Sequence, residues 1–230
     1  MIKTNIDLNN KNHKKNFLNG FPYEHLVFDD FFPHEIIEEL FEYTKNIKKW
    51  NDIHVFQNKP HIKNRLVADY SELQGIIKET IDFFYSEPMF DFISNLLGVK
   101  VFNDPNSLRG GGLQKSTDGA FMDIHLDNNW NENLQAWTVA NVILYLSSDW
   151  DDSYGGHLEL CKKNKVCKKI KPILNRCVIC INNNKSYHGY KNPIKAPENK
   201  FRQSLILFYF SKNPIIKANK RFGAKWKNLI

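Results

Sequence analysis

The sequence predicts a mainly β protein with flanking helices: a double-stranded β-helix, or jelly roll, buttressed by N-terminal helices. Three observations predict it. Up to Gly98 the apolar residues recur largely at helical spacing. After Gly98 they fall into about eight short runs separated by turn residues. The chain has 230 residues, 42% hydrophobic and 13% aromatic, which is enough to build one large core and excludes global disorder.

Taken in order, residues 1–20 are rich in Asn and Lys and lack the apolar stretch of a signal peptide, so a polar segment open to disorder is expected. Residues 21–230 read as a single domain: a helical layer over 21–98, a jelly-roll core over 99–212 and a basic tail over 213–230. In the layer, Pro33 suits a first helical turn, and Ile36, Ile37, Leu40 and Phe41 follow at one-face spacing. Ser71-Glu72-Leu73-Gln74 reads as a capping box before Leu73, Ile76, Ile77 and Ile81. A third helix is expected from Pro88 to Leu97, stopped by Gly98, and a short strand over Leu26 to Phe28.

The expected strands of the second half are Val99 to Phe102, Leu113 to Lys115, Phe121 to Leu126, Trp137 to Leu146, His157 to Leu160, Val166 to Ile170, Cys177 to Ile181 and Phe201 to Phe210. Gly110-Gly111-Gly112 and the turn from Ser116 to Gly119 are expected to form a mobile lip. No apolar run approaches membrane-spanning length, and a cytoplasmic protein is expected.

The net charge of +7 raises nucleic-acid binding as an idea. Much of the basic charge sits in two places, however: Lys162, Lys163, Lys165, Lys168, Lys169 and Lys171, read as a hairpin, and Lys212, Lys217, Lys220, Arg221, Lys225 and Lys227 near the C-terminus. Such loops and tails are ordinarily solvated, which weighs against a nucleic-acid partner. Cys161, Cys167, Cys177 and Cys180 suggest zinc at first sight. Cys177 and Cys180 are three apart on an expected strand, so they face opposite sides and read as core thiols.

His125 and Asp127 carry the chemistry. Two apart on a strand, an imidazole and a carboxylate point to one face. A further histidine from a distant segment, such as His188, makes two histidines and one carboxylate, a set that binds Fe(II) on one face and leaves the opposite positions open. Arg202 and Ser204, again two apart, put a guanidinium fork and a hydroxyl on one face, as a dicarboxylate co-substrate requires.

Several ordered pieces carry a family resemblance: His125-Leu126-Asp127; Tyr145-Leu146-Ser147-Ser148-Asp149-Trp150 followed by Gly155-Gly156-His157-Leu158-Glu159-Leu160; His188-Gly189-Tyr190; and Arg202-Gln203-Ser204-Leu205. Over roughly residues 99–212 the chain resembles the Fe(II)/2-oxoglutarate-dependent dioxygenase superfamily, in its prolyl-hydroxylase-like branch. The resemblance implies Fe(II) as cofactor with 2-oxoglutarate and O2 as co-substrates. It implies His125, Asp127 and His188 as iron ligands, Arg202 as partner of the far carboxylate of 2-oxoglutarate, and Tyr145 and Ser204 beside it. Asn129, Trp130 and Gln114 would border the site as candidate substrate contacts; Lys115 is the alternative clamp.

The implied reaction hydroxylates an unactivated C–H of a peptidyl or free amino acid (proline-like) or another small molecule, releasing succinate and CO2. Collagen-type prolyl hydroxylases carry Lys where this chain has Arg202, so the substrate class stays open. Halogenation would need the place of Asp127 vacated. Oxidative demethylation of nucleic acid usually goes with a second arginine six residues on, where this chain has Phe208. A non-catalytic metal-binding jelly-roll sensor or interaction protein would be expected to have lost a ligand or the clamp, and none is lost here.

Overall fold

The computed structural model describes residues 2–53, 61–104, 108, 110–162, 165–215 and 220–226; Lys163, Lys217 and Lys227, singled out above, lie outside them. The first half holds α1 (Asn12–Leu18), β1 (His25–Phe28), α2 (His34–Lys45), β2 (Trp50–Asp52), β3 (Ile62–Ala68), α3 (Gly75–Phe84) and α4 (Glu87–Leu97). The second holds β4 (Gly112–Leu126), β5 (Trp130–Asn131), β6 (Ala136–Tyr145), β7 (Leu158–Lys162), β8 (Lys165–Ile170), β9 (Cys177–Ile181), β10 (Tyr187–Tyr190), β11 (Arg202–Ser211) and β12 (Lys225–Trp226).

The long strand β4 makes the jelly roll. Along one edge, its residues from Gly112 to Ser116 pair antiparallel with β11, and His125 and Met122 pair with β10. Between these stretches the edge bonds to neither strand. The Gly119 amide donates to the Ile194 carbonyl, and the Ile194 amide donates to the Ala120 carbonyl, both at 2.8 Å. There the sheet divides. One limb runs β4-β11-β6-β9-β1, the other β4-β10-β7-β8, and the two curl around a shared interior. The opposite edge of β4 carries β3 and, beyond it, β12.

The helices cover the larger limb because their apolar stripes need a partner. Ile76, Ile77, Ile81 and Phe84 of α3 and Met89, Phe92, Ile93 and Leu96 of α4 are buried. Phe31 stacks on Phe84 with 5.6 Å between ring centroids, and the Tyr209 hydroxyl of β11 donates to the Phe84 carbonyl at 2.5 Å. Gly98 ends α4 in the left-handed conformation, as a helix stop requires.

Several expectations are corrected. Residues 2–20 are not a loose polar segment: α1 forms, Ile2 and Phe17 are buried, and His13 meets the Phe92 ring of α4 edge-on. Ser71 caps no α-helix. The Asp69 carboxylate accepts from its amide to hold a single 3-10 turn, and α3 begins at Gly75. Val99 to Phe102 contributes only one bridge, Phe102 to Phe210. The turn expected at Ser116 to Gly119 lies inside β4, with Ser116 buried, so it is no lip. The helical layer includes β1, β2 and β3, and the tail includes β12.

Candidate metal centre

The β4–β10 pairing sets His188 directly beside His125. Gly189 is required for this approach: a Cβ there would lie 2.7 Å from the Asp123 and Met122 carbonyl oxygens. Each imidazole is oriented by its own chain, His125 Nδ1 sitting 2.9 Å from the Asp123 carbonyl and His188 Nδ1 2.9 Å from that of Ser186. With each Nδ1–H donating to that carbonyl, the lone pair is on Nε2. Both Nε2 atoms converge on Asp127, at 3.3 Å from Oδ1 and 3.4 Å from Oδ2. One ligand atom from each of the three residues lies within 4.8 Å of the others. Two neutral imidazole nitrogens and a carboxylate oxygen, held before any ion arrives, are a donor set that fits Fe(II).

The electrostatics agree. Burial pushes the Asp127 carboxyl up, but His188, His125 and Arg65 together outweigh it and hold its pKa below the usual carboxylate range. Burial lowers the His188 pKa, favouring the neutral imidazole that ligation needs. The Asn141 side-chain amide of β6 donates to Asp127 Oδ2 at 3.3 Å and steadies the carboxylate.

The same cavity has a basic end. Arg202 on β11 is buried; its Nε donates to the Gly156 carbonyl at 2.7 Å and its Nη2 to the Tyr145 hydroxyl at 3.1 Å. Its guanidinium carbon lies 4.3 Å from the Tyr190 ring centroid, and the Tyr190 and Ser116 hydroxyls share a 2.8 Å hydrogen bond. Ser204 is buried opposite Tyr145 and Gln114. The structure thus brings together His125, Asp127, His188 and Arg202 in one cavity and sets Tyr145 against Arg202.

Other expected residues lie elsewhere or are already engaged. Lys115 stands over the Trp50 and Phe201 rings, in register with Gln203 on the other face of β4, so it does not reach this interior. Gln203 is met by the Thr44 hydroxyl of α2. The Asn129 amide binds the C-terminal segment, donating to the Lys220 carbonyl and accepting from the Phe222 amide. Trp130 lies under Arg221, 3.5 Å from guanidinium carbon to ring centroid. The Gln114 side chain is held by Arg65 and the Gly111 carbonyl.

Four contributors escaped the sequence. Asn141 stood out as a polar residue in an apolar strand, four before Tyr145 and hence on its face. Tyr190, two after His188, was legible in the same way. Arg65 gave no signal, because β3 went unrecognised. Nor did Trp226, which pairs with His125 across β12–β4 and stacks on both His125 and His61, at 4.7 and 4.9 Å between centroids. The tail is therefore part of the wall beside the ligand histidines.

Residues 111–210 match the profile of the 2OG-Fe(II) oxygenase superfamily. This part of the chain is similar to that superfamily. Its members use Fe(II), 2-oxoglutarate and O2, and in this chain the trio available for the metal is His125, Asp127 and His188. Solved structures share the fold. A prolyl-4-hydroxylase from Pseudomonas putida superposes with a TM-score of 0.60 at 14% identity, covering 88% of this chain and 100% of that one. A Trichoplax adhaerens prolyl hydroxylase, in complex with a hypoxia inducible factor peptide fragment, gives 0.60 at 19% identity, covering 87% and 89%. HygX from Streptomyces hygroscopicus, with nickel and 2-oxoglutarate bound, gives 0.55 at 9% identity, covering 81% and 82%. The sequence matches no curated protein at a significant level. No helix among the described residues is long and apolar enough to cross a membrane.

Proposed function

We propose that this protein is a 2OG-Fe(II) oxygenase and a hydroxylase, acting on an unactivated C–H of a peptidyl or free amino acid, proline-like, or of another small molecule, with release of succinate and CO2. The observation that carries the reading is the convergence of two imidazole Nε2 atoms on Asp127, each Nδ1 tied to a backbone carbonyl, in the cavity that also holds Arg202. His125, Asp127 and His188 would hold Fe(II), which supplies the oxidising chemistry when bound with 2-oxoglutarate and O2.

The chain's own residues bind and orient. Arg202 offers a cationic fork to the far carboxylate of 2-oxoglutarate, a bidentate match that lysine would not give. Tyr145 is a fit second donor: burial raises its pKa, so it stays a phenol at neutral pH. Ser204, two residues from Arg202, adds a hydroxyl on the same face. Tyr190 flanks the guanidinium and narrows the space around it. The apolar walls, Ile143, Leu158, Ile206 and Phe208, keep bulk water from the reacting centre.

The peptide held by the Trichoplax neighbour and the hygromycin B bound in a second HygX structure support both substrate sizes. The test is succinate formation from 2-oxoglutarate by the iron-loaded protein, against an iron-free control and against Arg202→Ala. Succinate that depends on both iron and Arg202 is expected. Tight metal binding without succinate would replace the hydroxylase with a metal-binding sensor.

A further inference from the structure

The cavity described above is lined by two guanidiniums rather than one. Arg65 of β3 and Arg202 of β11 are both in register with Ser116 of β4, from opposite sides, so the three form a row across adjacent strands. Residues paired in this way share a face, and both arginines line the interior with the metal trio. Arg65 is buried. Its Nη2 donates to the Gln114 side-chain oxygen and its Nη1 meets the Met122 sulfur at 2.8 Å. Among the described residues no carboxylate lies within ion-pair distance of it, and Asp127 acts on it only at longer range. Gln114, fixed in turn by the Gly111 carbonyl, holds the guanidinium in place without neutralising it.

The formal charges of the lining do not balance. With His125 and His188 both neutral, as ligation of a metal requires, Arg65 and Arg202 stand against Asp127 alone, leaving one positive charge. A divalent ion and the dianion of 2-oxoglutarate add two and subtract two. One buried positive charge remains, and a desolvated unpaired charge is costly until an opposite charge joins it.

We infer that Arg65 is a specificity-determining residue that receives a carboxylate of the substrate, so that the compound oxidised is an acid rather than an uncharged peptide segment. The inference rests on the proposed function for the placement of 2-oxoglutarate on Arg202. Of the substrates left open there, the charge count selects those that carry a carboxylate.

The experiment uses the full chain loaded with Mn(II) and saturating 2-oxoglutarate, probed with acetate and, at matched ionic strength, with acetamide. Acetate is expected to raise the melting midpoint, acetamide is not, and the acetate shift is expected to vanish in Arg65→Met and Arg65→Gln. The 2-oxoglutarate affinity of both variants is expected to stay within about threefold of the parent, about 0.7 kcal/mol by the tenfold rule.

Equal shifts with acetate and acetamide in the parent, or an acetate shift that survives in the variants, would overturn the inference. So would a 100-fold loss of 2-oxoglutarate affinity in the Arg65 variants, which would make Arg65 part of the co-substrate clamp. If the variants do not fold, the parent's acetate-against-acetamide comparison still decides. Arg202→Ala, run alongside, separates the two readings: unchanged 2-oxoglutarate affinity there would remove the proposed function instead.

Discussion

The two ends of the cavity are built in opposite ways. At the metal end each histidine is oriented by a carbonyl two residues before it, Asp123 for His125 and Ser186 for His188. At the basic end the partners are remote: Arg202 reaches Gly156 and Tyr145 across 46 and 57 residues of sequence, and Arg65 reaches Gln114 across 49. Local orientation makes the metal end a property of two short stretches of chain. Remote orientation makes the basic end a property of the closed fold. Losses at the metal end should therefore be abrupt and confined, and those at the basic end graded and shared.

The largest expected effect is at the metal end. His188→Ala should abolish Fe(II) retention through dialysis and abolish succinate formation, while far-ultraviolet circular dichroism stays that of the parent; normal iron content in this variant would break the comparison at its root. Asp127→Glu should be nearly as severe, because one extra methylene displaces an oxygen that must sit about 2 Å from a metal. Asn141→Ala, which frees the Asp127 carboxylate, should weaken metal affinity by roughly 10–100-fold, as loss of an outer hydrogen bond to a ligand typically does. A competition titration against a chelator measures it.

At the basic end, Arg202→Ala leaves a buried carboxylate of 2-oxoglutarate unpaired, a loss of about 3–5 kcal/mol. That corresponds to a rise of roughly 100-fold or more in its apparent constant, at 1.4 kcal/mol per tenfold. Ser204→Ala removes one hydrogen bond to a charged group, about 1.5–3 kcal/mol at most, and should raise it by roughly tenfold or somewhat more. Iron retention should survive both. Loss of iron in either variant would show that the two ends are not separable.

Smaller effects should fall on stability alone. Cys180 is buried, and burial pushes its thiol up to about 12, so it is a neutral core group and no ready metal ligand. Cys180→Ser should cost about 1–3 kcal/mol by denaturant titration, with iron affinity unchanged and no zinc in the purified protein. The smallest effect is a pH slope from His25 of β1, whose pKa is lowered chiefly by burial. Its unfolded form takes a proton near the ordinary pKa of about 6.5 while the folded form resists. Stability is therefore highest above that pH and falls as pH drops toward the lowered value. His25→Gln should flatten this part of the melting-midpoint profile; an unchanged profile would place the slope elsewhere.

The same contrast between local and remote explains what the sequence disclosed. His125 and Asp127, like Arg202 and Ser204, follow the two-residue repeat of a strand, which needs no tertiary knowledge. The helices were read from stripes such as Leu73, Ile76, Ile77 and Ile81, but the start of α3 was not: Asp69, not Ser71, supplies the side-chain acceptor for the turn before it. β3 escaped because its burial is mixed, with Arg65 the inward cation and Lys63 exposed, so it reads as a polar loop. The length of β4 escaped because Asp118-Gly119 carries the composition of a turn. Gly119 does take φ of +72°, but at the division between the two limbs and without ending the strand. The N-terminal segment looked loose because only Ile2 and Phe17 of its apolar residues are fully covered, and what covers them is remote in sequence.

Trp226 remains, its ring centroid 4.7 Å from that of His125. An indole so close to a metal-ligand ring is an optical gauge. A paramagnetic ion seated at that histidine quenches nearby indole emission, so loading of the centre becomes readable as dimming of intrinsic fluorescence, with Trp226→Phe as the blank. The gauge is fastened by Asn129 through the Lys220 carbonyl and the Phe222 amide, only two residues beyond Asp127. Light emitted from the last residues of the chain thus reports on an event begun a hundred residues earlier.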